Sequence, residues 1–244
     1  MECGAKILEI GNGQIPARIS CSRCSLGELC LPRNLDEDET RQLEQIVERS
    51  RPLQAGEHLY RAGEQFRAIS AVRSGCFKSY LITEEGQEQI IDFHLPGEIV
   101  GFDAIHGGTH LSSCVALDTS AVCGLCFGPL SELARHIPSL QAELFKVMSH
   151  RIADLEITCG DHSADQRFAL FLESLSRRYS RRGYSAQEFT LAMSRKDIAN
   201  YLRLATETIS RILSRLNKDQ VLQVRRKQIR ILNADALHAI AQRR

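Results

Sequence analysis

The 244-residue sequence predicts an α+β protein with a β-rich N-terminal half, a long amphipathic helix and a mainly helical C-terminal third. Three observations carry this prediction: short strand-like runs separated by glycines, an apolar stripe at steps of three and four, and a change of charge near residue 160. Apolar residues make up 43% and charged residues 25%, as in ordinary globular proteins. We expect a cytoplasmic protein, because neither a membrane-spanning apolar run nor a secretory signal is visible.

Short runs rich in β-branched and aromatic residues alternate with turns between about residues 53 and 127. Glycines between these runs permit the backbone conformations that tight turns require. Several short strands at such spacing predict a sandwich or a barrel. The predicted strands are 58–61, 68–73, 76–82, 87–94, 114–118 and 121–127.

A single apolar stripe from Leu130 to Ile157 predicts one long helix. The stripe is longer than a small domain needs for its own core, and it lasts for about three heptads. No charge falls on its best seam positions, which favours a coiled coil between two copies over packing on the chain's own sheet. The predicted seam residues are Leu140, Leu144, Val147, Met148, Ile152 and Leu155.

The basic residues are concentrated in the C-terminal third. Residues 1–159 hold 14 Lys and Arg against 22 Asp and Glu, a formal charge of −8, whereas residues 160–244 hold 17 against 8, a charge of +9. Such an asymmetry indicates a module that binds nucleic acid, attached to a domain with another role. A solvated basic surface without a partner is the alternative.

Residues 194–216 predict a helix-turn-helix. Ser194 is suited to cap a short helix, a break follows near Arg203, and a second helix then buries an apolar face. The opposite face carries Glu207, Ser210 and Arg211. Arg can donate two hydrogen bonds to guanine and Glu can accept one from cytosine, so this face is typical of a helix that reads the major groove.

Residues 221–232 predict two short strands around a basic turn, which would form a wing beside the second helix. Cations near the predicted helices and turn are expected to contact DNA phosphates. They are Arg195, Arg203, Arg215, Arg225, Arg226 and Lys227.

Three cysteines near the N-terminus, Cys21, Cys24 and Cys30, follow a C-x2-C-x5-C spacing. In a reducing compartment this run favours metal binding or redox sensing over disulfides, and the spacing leaves zinc and iron–sulfur open. A thiol–disulfide oxidoreductase is disfavoured, because neither C-x-x-C pair lies at a helix N-terminus in a βαβ setting. Later cysteines remain candidates for a distant ligand: Cys114, Cys123 and Cys126. Strand alternation places Cys123 and Cys126 on opposite faces, so a simple strand directs only one of them to a given site.

The order of these parts resembles the CRP/FNR family of bacterial transcription regulators, and the cysteine run resembles its oxygen-sensing FNR branch. The resemblance covers roughly residues 20–237 and includes QEQIIDFHLPGEIVGFDAI, AVCGLCF, RRGYSAQEFTLAMSRKDIANYL and TETISRIL. It implies a jelly-roll β-barrel like that of cyclic-nucleotide-binding domains, a dimerisation helix and a winged helix-turn-helix. The implied domains are an N-terminal cluster-ligating segment (1–35), the barrel (36–130), the helix (131–159) and the DNA-binding domain (160–244).

By this resemblance the protein is a transcription regulator, not an enzyme. It would form a homodimer, bind a palindromic promoter site with TTGAT-type half-sites, and contact RNA polymerase under anaerobic conditions. The family's base-reading pattern E-x-x-S-R falls on Glu207, Ser210 and Arg211. A zinc- or thiol-switch regulator of the same fold is the alternative.

The resemblance also implies one [4Fe-4S] cluster per subunit, which oxygen destroys or converts. The family pattern places its ligands on Cys21, Cys24, Cys30 and, for the distant cysteine, on Cys123.

Several positions depart from the patterns of the wider family. Its cyclic-nucleotide binders use a Glu for the ribose and an Arg-Ser pair for the phosphate, and those places hold Phe102, Ser112 and Ser113 here. Without the charged partners we expect no cyclic nucleotide to bind. Arg203 and Gln220 stand where the family usually has Gly, so both must accept the backbone conformation of a turn.

Overall fold

A computed structural model describes residues 20–158 and 162–242, and for 154–158 the backbone only. The chain divides into two compact units, residues 1–153 and 154–244. The domain boundary expected between residues 159 and 160 lies outside the described residues. Among the described helices, none combines the length and the apolar character that crossing a membrane requires.

The first unit contains two four-stranded antiparallel sheets, which confirm the predicted barrel. One sheet has the order β1-β8-β3-β6 and the other the order β2-β7-β4-β5. The two strands that the sequence pattern did not predict, β1 and β6, have three and two residues, too few to show an alternation. The strands are β1 Val47–Arg49, β2 His58–Tyr60, β3 Ala68–Ser74, β4 Phe77–Ile82, β5 Glu88–His94, β6 Ile99–Val100, β7 Ser113–Ala116 and β8 Ala121–Cys126.

Alternation along the strands of the first sheet produces two separate cores. Val72 and Val122 point between the sheets and pack with Phe77 in an inner core. Ala71 and Leu125 point away from the barrel and pack in an outer core against helices. This outer face of the first sheet is where the N-terminal segment and the long helix meet the barrel.

Three helices cover the outer face: α1 Glu37–Gln45, α2 Phe127–His136 and α3 Pro138–Thr158. The prediction of one continuous helix over residues 131–159 is therefore wrong, because Ile137 separates α2 from α3. Ile137 leaves the helical conformation with φ −120° and ψ 91°, because a residue before proline is driven towards extended geometry. Pro138 then begins α3, where its missing amide hydrogen is not needed.

The second unit is a winged helix-turn-helix, as predicted. Its elements are α4 Ala164–Arg181, β9 Glu188–Thr190, α5 Arg195–Tyr201, α6 Thr206–Lys218, β10 Leu222–Arg225, β11 Gln228–Ile231 and α7 Ala234–Ala241. The three strands form one antiparallel sheet in the order β10-β11-β9. Capping boxes begin α4 at Ser163 and α5 at Ser194. The amphipathic α6 buries Ile209, Ile212, Leu213 and Leu216.

The turns around α6 use left-handed backbone at non-glycine residues. Arg203 has φ 54° and Gln220 has φ 57°, so both adopt the conformation that the family's glycine would favour. An L-residue in this region costs on the order of 1 kcal/mol. The Arg203 amide donates to the carbonyl of Asn200 at 3.0 Å, which ends α5 and reverses the chain into α6.

Candidate functional site

The cysteine segment consists of tight turns. Residues Cys21–Arg23 and Gly27–Leu29 each form one turn of 3-10 helix. The Cys24 amide donates to the Cys21 carbonyl at 3.2 Å, and the Cys30 amide donates to the Leu26 carbonyl at 3.0 Å. These bonds curl the segment back on itself, so that cysteines up to nine positions apart stay on one short loop.

Two leucines fasten this loop to the barrel. Leu31 is only 1% exposed and belongs to the outer core. Leu29 lies against the turn between β5 and β6 at Gly97, which has φ +88°. A Cβ atom at Gly97 would lie 2.7 Å from the Leu29 Cβ atom, closer than carbon atoms approach. Glycine at this position therefore permits the positive φ of the turn and leaves space for the side chain of Leu29.

Cys123 lies in the middle of the outer sheet. Its strand β8 runs between β1 and β3, and Cys123 pairs in register with Arg49 and Ala71. The side chain of Cys123 packs against the outer core, as does that of Cys30. Cys126 is held in a disulfide, whereas Cys21, Cys24, Cys30 and Cys123 are free thiols.

The thiols of Cys21, Cys24, Cys30 and Cys123 lie near enough to one another to interact electrostatically. Electrostatic interactions link each of the six pairs among these four sulfur atoms. Cys114 is instead buried in the inner core, on the other side of the sheet. Four soft donors from two segments far apart in sequence are thus gathered on the outer face of the barrel.

Burial raises the pKa of three of these thiols, those of Cys21, Cys30 and Cys123. It raises the pKa of Cys30 to about 12. Burial, with the nearby carboxylate of Glu44, raises the pKa of Cys21 to about 11. The pKa of Cys123 is also raised by burial, although Arg49 and Arg73 oppose the shift. A metal binds thiolates, so metal uptake at this site would release protons and would need a strongly cationic group to drive it.

The donor set fits an iron–sulfur cluster, which four cysteine thiolates commonly hold. Among the described residues, no group of three or more His, Cys, Asp or Glu side chains is close enough to hold a single metal ion. Two histidines of the barrel have partners elsewhere: His94 bonds to Ser79 at 2.7 Å, and the rings of His110 and Tyr60 stack with their centroids 3.7 Å apart.

The long helix α3 carries two apolar faces. Leu140 is fully buried in the outer core, which corrects its assignment to a dimer seam. Leu144 and Val147 are half-buried against the same core. The predicted seam combined these residues with those of a second, neighbouring apolar face of α3. Both faces repeat at steps of three and four, so the sequence alone does not separate them.

The second apolar stripe faces solvent. Phe145 is 60% exposed and Ile152 is 59% exposed, with the half-buried Met148 between them. Their steps of three and four match the spacing of a coiled-coil seam. Phe145 was missed by the sequence analysis, and the Leu155 side chain lies outside the described residues.

The recognition-helix candidates lie on the outer face of α6. Glu207 and Arg211 are exposed near its N-terminal end. Ser210 is half-buried, and its hydroxyl donates to the carbonyl of Thr206 at 3.0 Å. The oxygen of Ser210 keeps its acceptor capacity towards a base amine.

The cations expected to contact phosphate differ in their surroundings. Lys227 donates to the carbonyl of Ala192 at 3.2 Å, which holds the wing turn near α5. Arg215 forms an ion pair with Asp165 at the start of α4, so its guanidinium is already engaged within the chain. The other four side chains are exposed: Arg195, Arg203, Arg225 and Arg226.

The barrel contains a buried polar network that the sequence analysis missed. One oxygen of Asp103 accepts from the Leu111 amide at 3.0 Å and from the Ser112 amide and hydroxyl, both at 2.9 Å. Burial alone would raise the pKa of Asp103, but hydrogen bonds from His110 and Ser112 bring it below its ordinary value. The donors around Ser112 thus already serve a carboxylate of the chain, which would repel an incoming anion.

Comparison with known proteins identifies relatives of both units. Residues 166–240 match the Crp-like helix-turn-helix domain, and residues 50–135 match the cyclic nucleotide-binding domain. The chain is 46% identical over 226 residues to the fumarate and nitrate reduction regulatory protein of Salmonella typhimurium, covering 91% of this chain and 90% of the relative. The protein of that name from Escherichia coli K12 gives the same identity and coverage.

Among solved structures, FixK2 from Bradyrhizobium japonicum is similar over 82% of this chain and 99% of its own, with a TM-score of 0.74 and 27% identity. This similarity spans the elements of both units.

Gly97→Ala tests how the cysteine loop is seated. The added methyl group collides with Leu29, so we expect the loop to shift and Cys30 to react several-fold faster with iodoacetamide in metal-free protein. Gly86→Ala is the matched control, because Gly86 also has positive φ, at +76°, but no atom within 4 Å of an added Cβ. Equal rates in the two variants would show that the contact between Gly97 and Leu29 does not hold the loop in place.

Proposed function

The chain belongs to the CRP/FNR family of transcription regulators, and on that premise we propose that it is an oxygen-responsive member of the family. Its homologues are DNA-binding regulators and not enzymes. The observation that carries the oxygen response is the gathering of four thiols from two distant segments on the barrel's outer face. The similarity to relatives named for the regulation of fumarate and nitrate reduction also supports this proposal.

Cys21, Cys24, Cys30 and Cys123 would hold one [4Fe-4S] cluster in each subunit of a cytoplasmic protein. The cluster would supply reactivity towards oxygen, which the thiols of this chain lack when buried and protonated. The chain's own part is to present four sulfur atoms and to keep most water away from Cys30 and Cys123 through the outer core.

Contacts within the first unit tie the cysteine segment directly to α3. The Asn34 side-chain amide donates to the Glu143 carboxylate at 2.7 Å. The Ser139 hydroxyl donates to the Glu39 carboxylate, at the start of α1, at 2.9 Å. These bonds support a direct route from the segment and α1 to α3. Displacing the segment would change the packing of α3, and so its readiness to pair with a second copy.

The exposed stripe of Phe145, Met148 and Ile152 would pair with the same stripe of a second copy. A homodimer presents two recognition helices to two half-sites about one DNA turn, ~34 Å, apart. Glu207, Ser210 and Arg211 would read a TTGAT-type palindrome, and the exposed arginines would contact phosphates. The assembled dimer would then contact RNA polymerase at anaerobic promoters.

Cyclic nucleotide is not part of this function, since Asp103 occupies the donors around Ser112.

Alanine substitution of the four proposed ligands tests the cluster. Anaerobically purified protein should be brown, with about four iron atoms per chain, as a [4Fe-4S] cluster requires. Cys21→Ala, Cys24→Ala, Cys30→Ala and Cys123→Ala should each lose the iron and the anaerobic DNA binding. Iron analysis and gel-shift titration measure both results.

Cys76→Ala and Cys114→Ala are the matched controls, because both thiols are buried outside the four-thiol site. They should keep the colour and the DNA binding. A colourless protein that contains zinc would contradict the proposal, as would a control that loses its iron.

Ile152→Glu tests the dimer. Two glutamates facing each other across the seam repel, so we expect monomers in anaerobic sedimentation and a large loss of affinity for a palindromic site. Ile82→Glu is the control, since Ile82 is 55% exposed but lies on β4. If Ile152→Glu sediments as a dimer that dissociates no more readily than the wild-type dimer, the interface lies elsewhere.

Arg211→Ala tests base reading by α6. Loss of a bidentate contact to guanine should cost ~1–3 kcal/mol and relax discrimination at one base pair. Arg195→Ala should weaken binding to all sequences alike and reduce the salt dependence. A uniform loss in Arg211→Ala, measured on a set of single-base variants of the site, would make Arg211 a phosphate contact instead.

A further inference from the structure

We infer that Arg49 is a positioning residue for the four-thiol site: it orients the Cys123 sulfur and supplies positive charge between that strand and the cysteine loop. This inference rests on the proposed function, because it gives Arg49 a role at the same four cysteines that would hold the cluster. It adds a role for β1, a strand of only three residues at the edge of its sheet.

The sheet register places Arg49 beside Cys123. Val47, Glu48 and Arg49 of β1 pair with Leu125, Gly124 and Cys123 of β8. Residues paired directly across two antiparallel strands project to the same face of the sheet, with Cβ atoms about 4.5–5.5 Å apart. Val47 and Leu125 both pack in the outer core, so the Arg49–Cys123 pair, two residues along, also faces outward.

The side chain of Arg49 donates a hydrogen bond to the sulfur of Cys123, and its charge also acts on Cys21. Arg49 thus stands between the two segments that supply the thiols. A planar guanidinium with several donors suits this bridging position. One N–H can point to the Cys123 sulfur while the positive charge acts on both Cys123 and Cys21.

The charge balance of the site favours such a cation. Four thiolates outnumber the positive charge of an iron–sulfide core, so a loaded site remains anionic. Glu44 adds a further negative charge near Cys21. Arg73 is the other cation that acts on Cys123, and it acts through charge without a hydrogen bond. Arg49 and Arg73 therefore separate the two effects: one combines hydrogen bond and charge, and the other supplies charge alone.

Four variants in the full-length protein test this assignment: Arg49→Gln, Arg49→Lys, Arg73→Gln and, as a remote control, Arg41→Gln. Arg41 lies exposed on α1 and pairs with Asp38 at 2.9 Å. The measurements are iron and sulfide per chain after anaerobic reconstitution, and the reduction potential of the bound cluster. Losing a hydrogen-bonded partner of a ligand typically costs ~10–100-fold in metal affinity.

We expect Arg49→Gln to lose iron affinity by that factor and to shift the reduction potential to more negative values, because an added electron is less stabilised. Arg49→Lys should restore most of the potential but only part of the affinity, since it returns the charge without the fork of donors. Arg73→Gln should shift the potential and keep the iron. Unchanged iron retention in Arg49→Gln would overturn the assignment, and so would an equal iron loss in Arg73→Gln.

A metal-free measurement separates this inference from the proposed function. Without Arg49 the Cys123 thiolate loses its counter-charge, so iodoacetamide should modify Cys123 more slowly in Arg49→Gln than in wild type, with Cys21 less affected. If wild-type protein takes up no iron, the proposed function fails, yet this rate still decides whether Arg49 holds Cys123. Equal alkylation rates in folded wild type and Arg49→Gln would refute the contact.

Discussion

The first unit depends on one apolar surface, the outer face of the sheet β1-β8-β3-β6. Strand alternation sends Ala71 and Leu125 to this face, and the cysteine loop, α1, α2 and α3 all pack on it. Each element would expose its apolar side without the others, so none can move independently. At about 25 cal/mol per Å² of buried apolar area, displacing even one leucine of this core costs on the order of 1–3 kcal/mol. The cysteine loop and α3 therefore share one packing surface.

The same packing sets the electrostatics of the four-thiol site. Burial that anchors the loop also raises the pKa of Cys21 and Cys30, to about 11 and about 12. The site is then poorly suited to free thiolates and well suited to a group that brings its own positive charge. Arg49 and Arg73 supply part of that charge from the barrel itself. Elsewhere in the barrel the half-buried carboxylate of Asp103 accepts hydrogen bonds from the amide and hydroxyl of the buried Ser112.

The second unit combines strong local signals with two strained turns. Capping boxes at Ser163 and Ser194 begin their helices where side chains can meet the free amides. Arg203 and Gln220 instead keep a left-handed backbone at a cost that glycine would avoid. Under the proposed function, the exposed side chain of Arg203 would contact DNA phosphate, which glycine cannot do. For Gln220, a bond of its side-chain amide to the Asn217 carbonyl at 3.2 Å is the local compensation.

Local patterns in the sequence were enough for six of the eight barrel strands, the helix that Ser194 caps and the apolar face of α6, because period, turn residues and caps act over a few neighbours. They also predicted that Cys123 and Cys126 leave β8 on opposite faces. Only the tertiary structure decided which face of a helix or strand packs against which other part of the chain. Two apolar faces of α3 look alike in sequence, and packing on the outer core assigned Leu140 to the barrel and left Phe145 exposed. Likewise, Arg49 and Gly97 carry no motif; their roles arise because strand pairing and loop docking bring them to Cys123 and Leu29 across long stretches of chain.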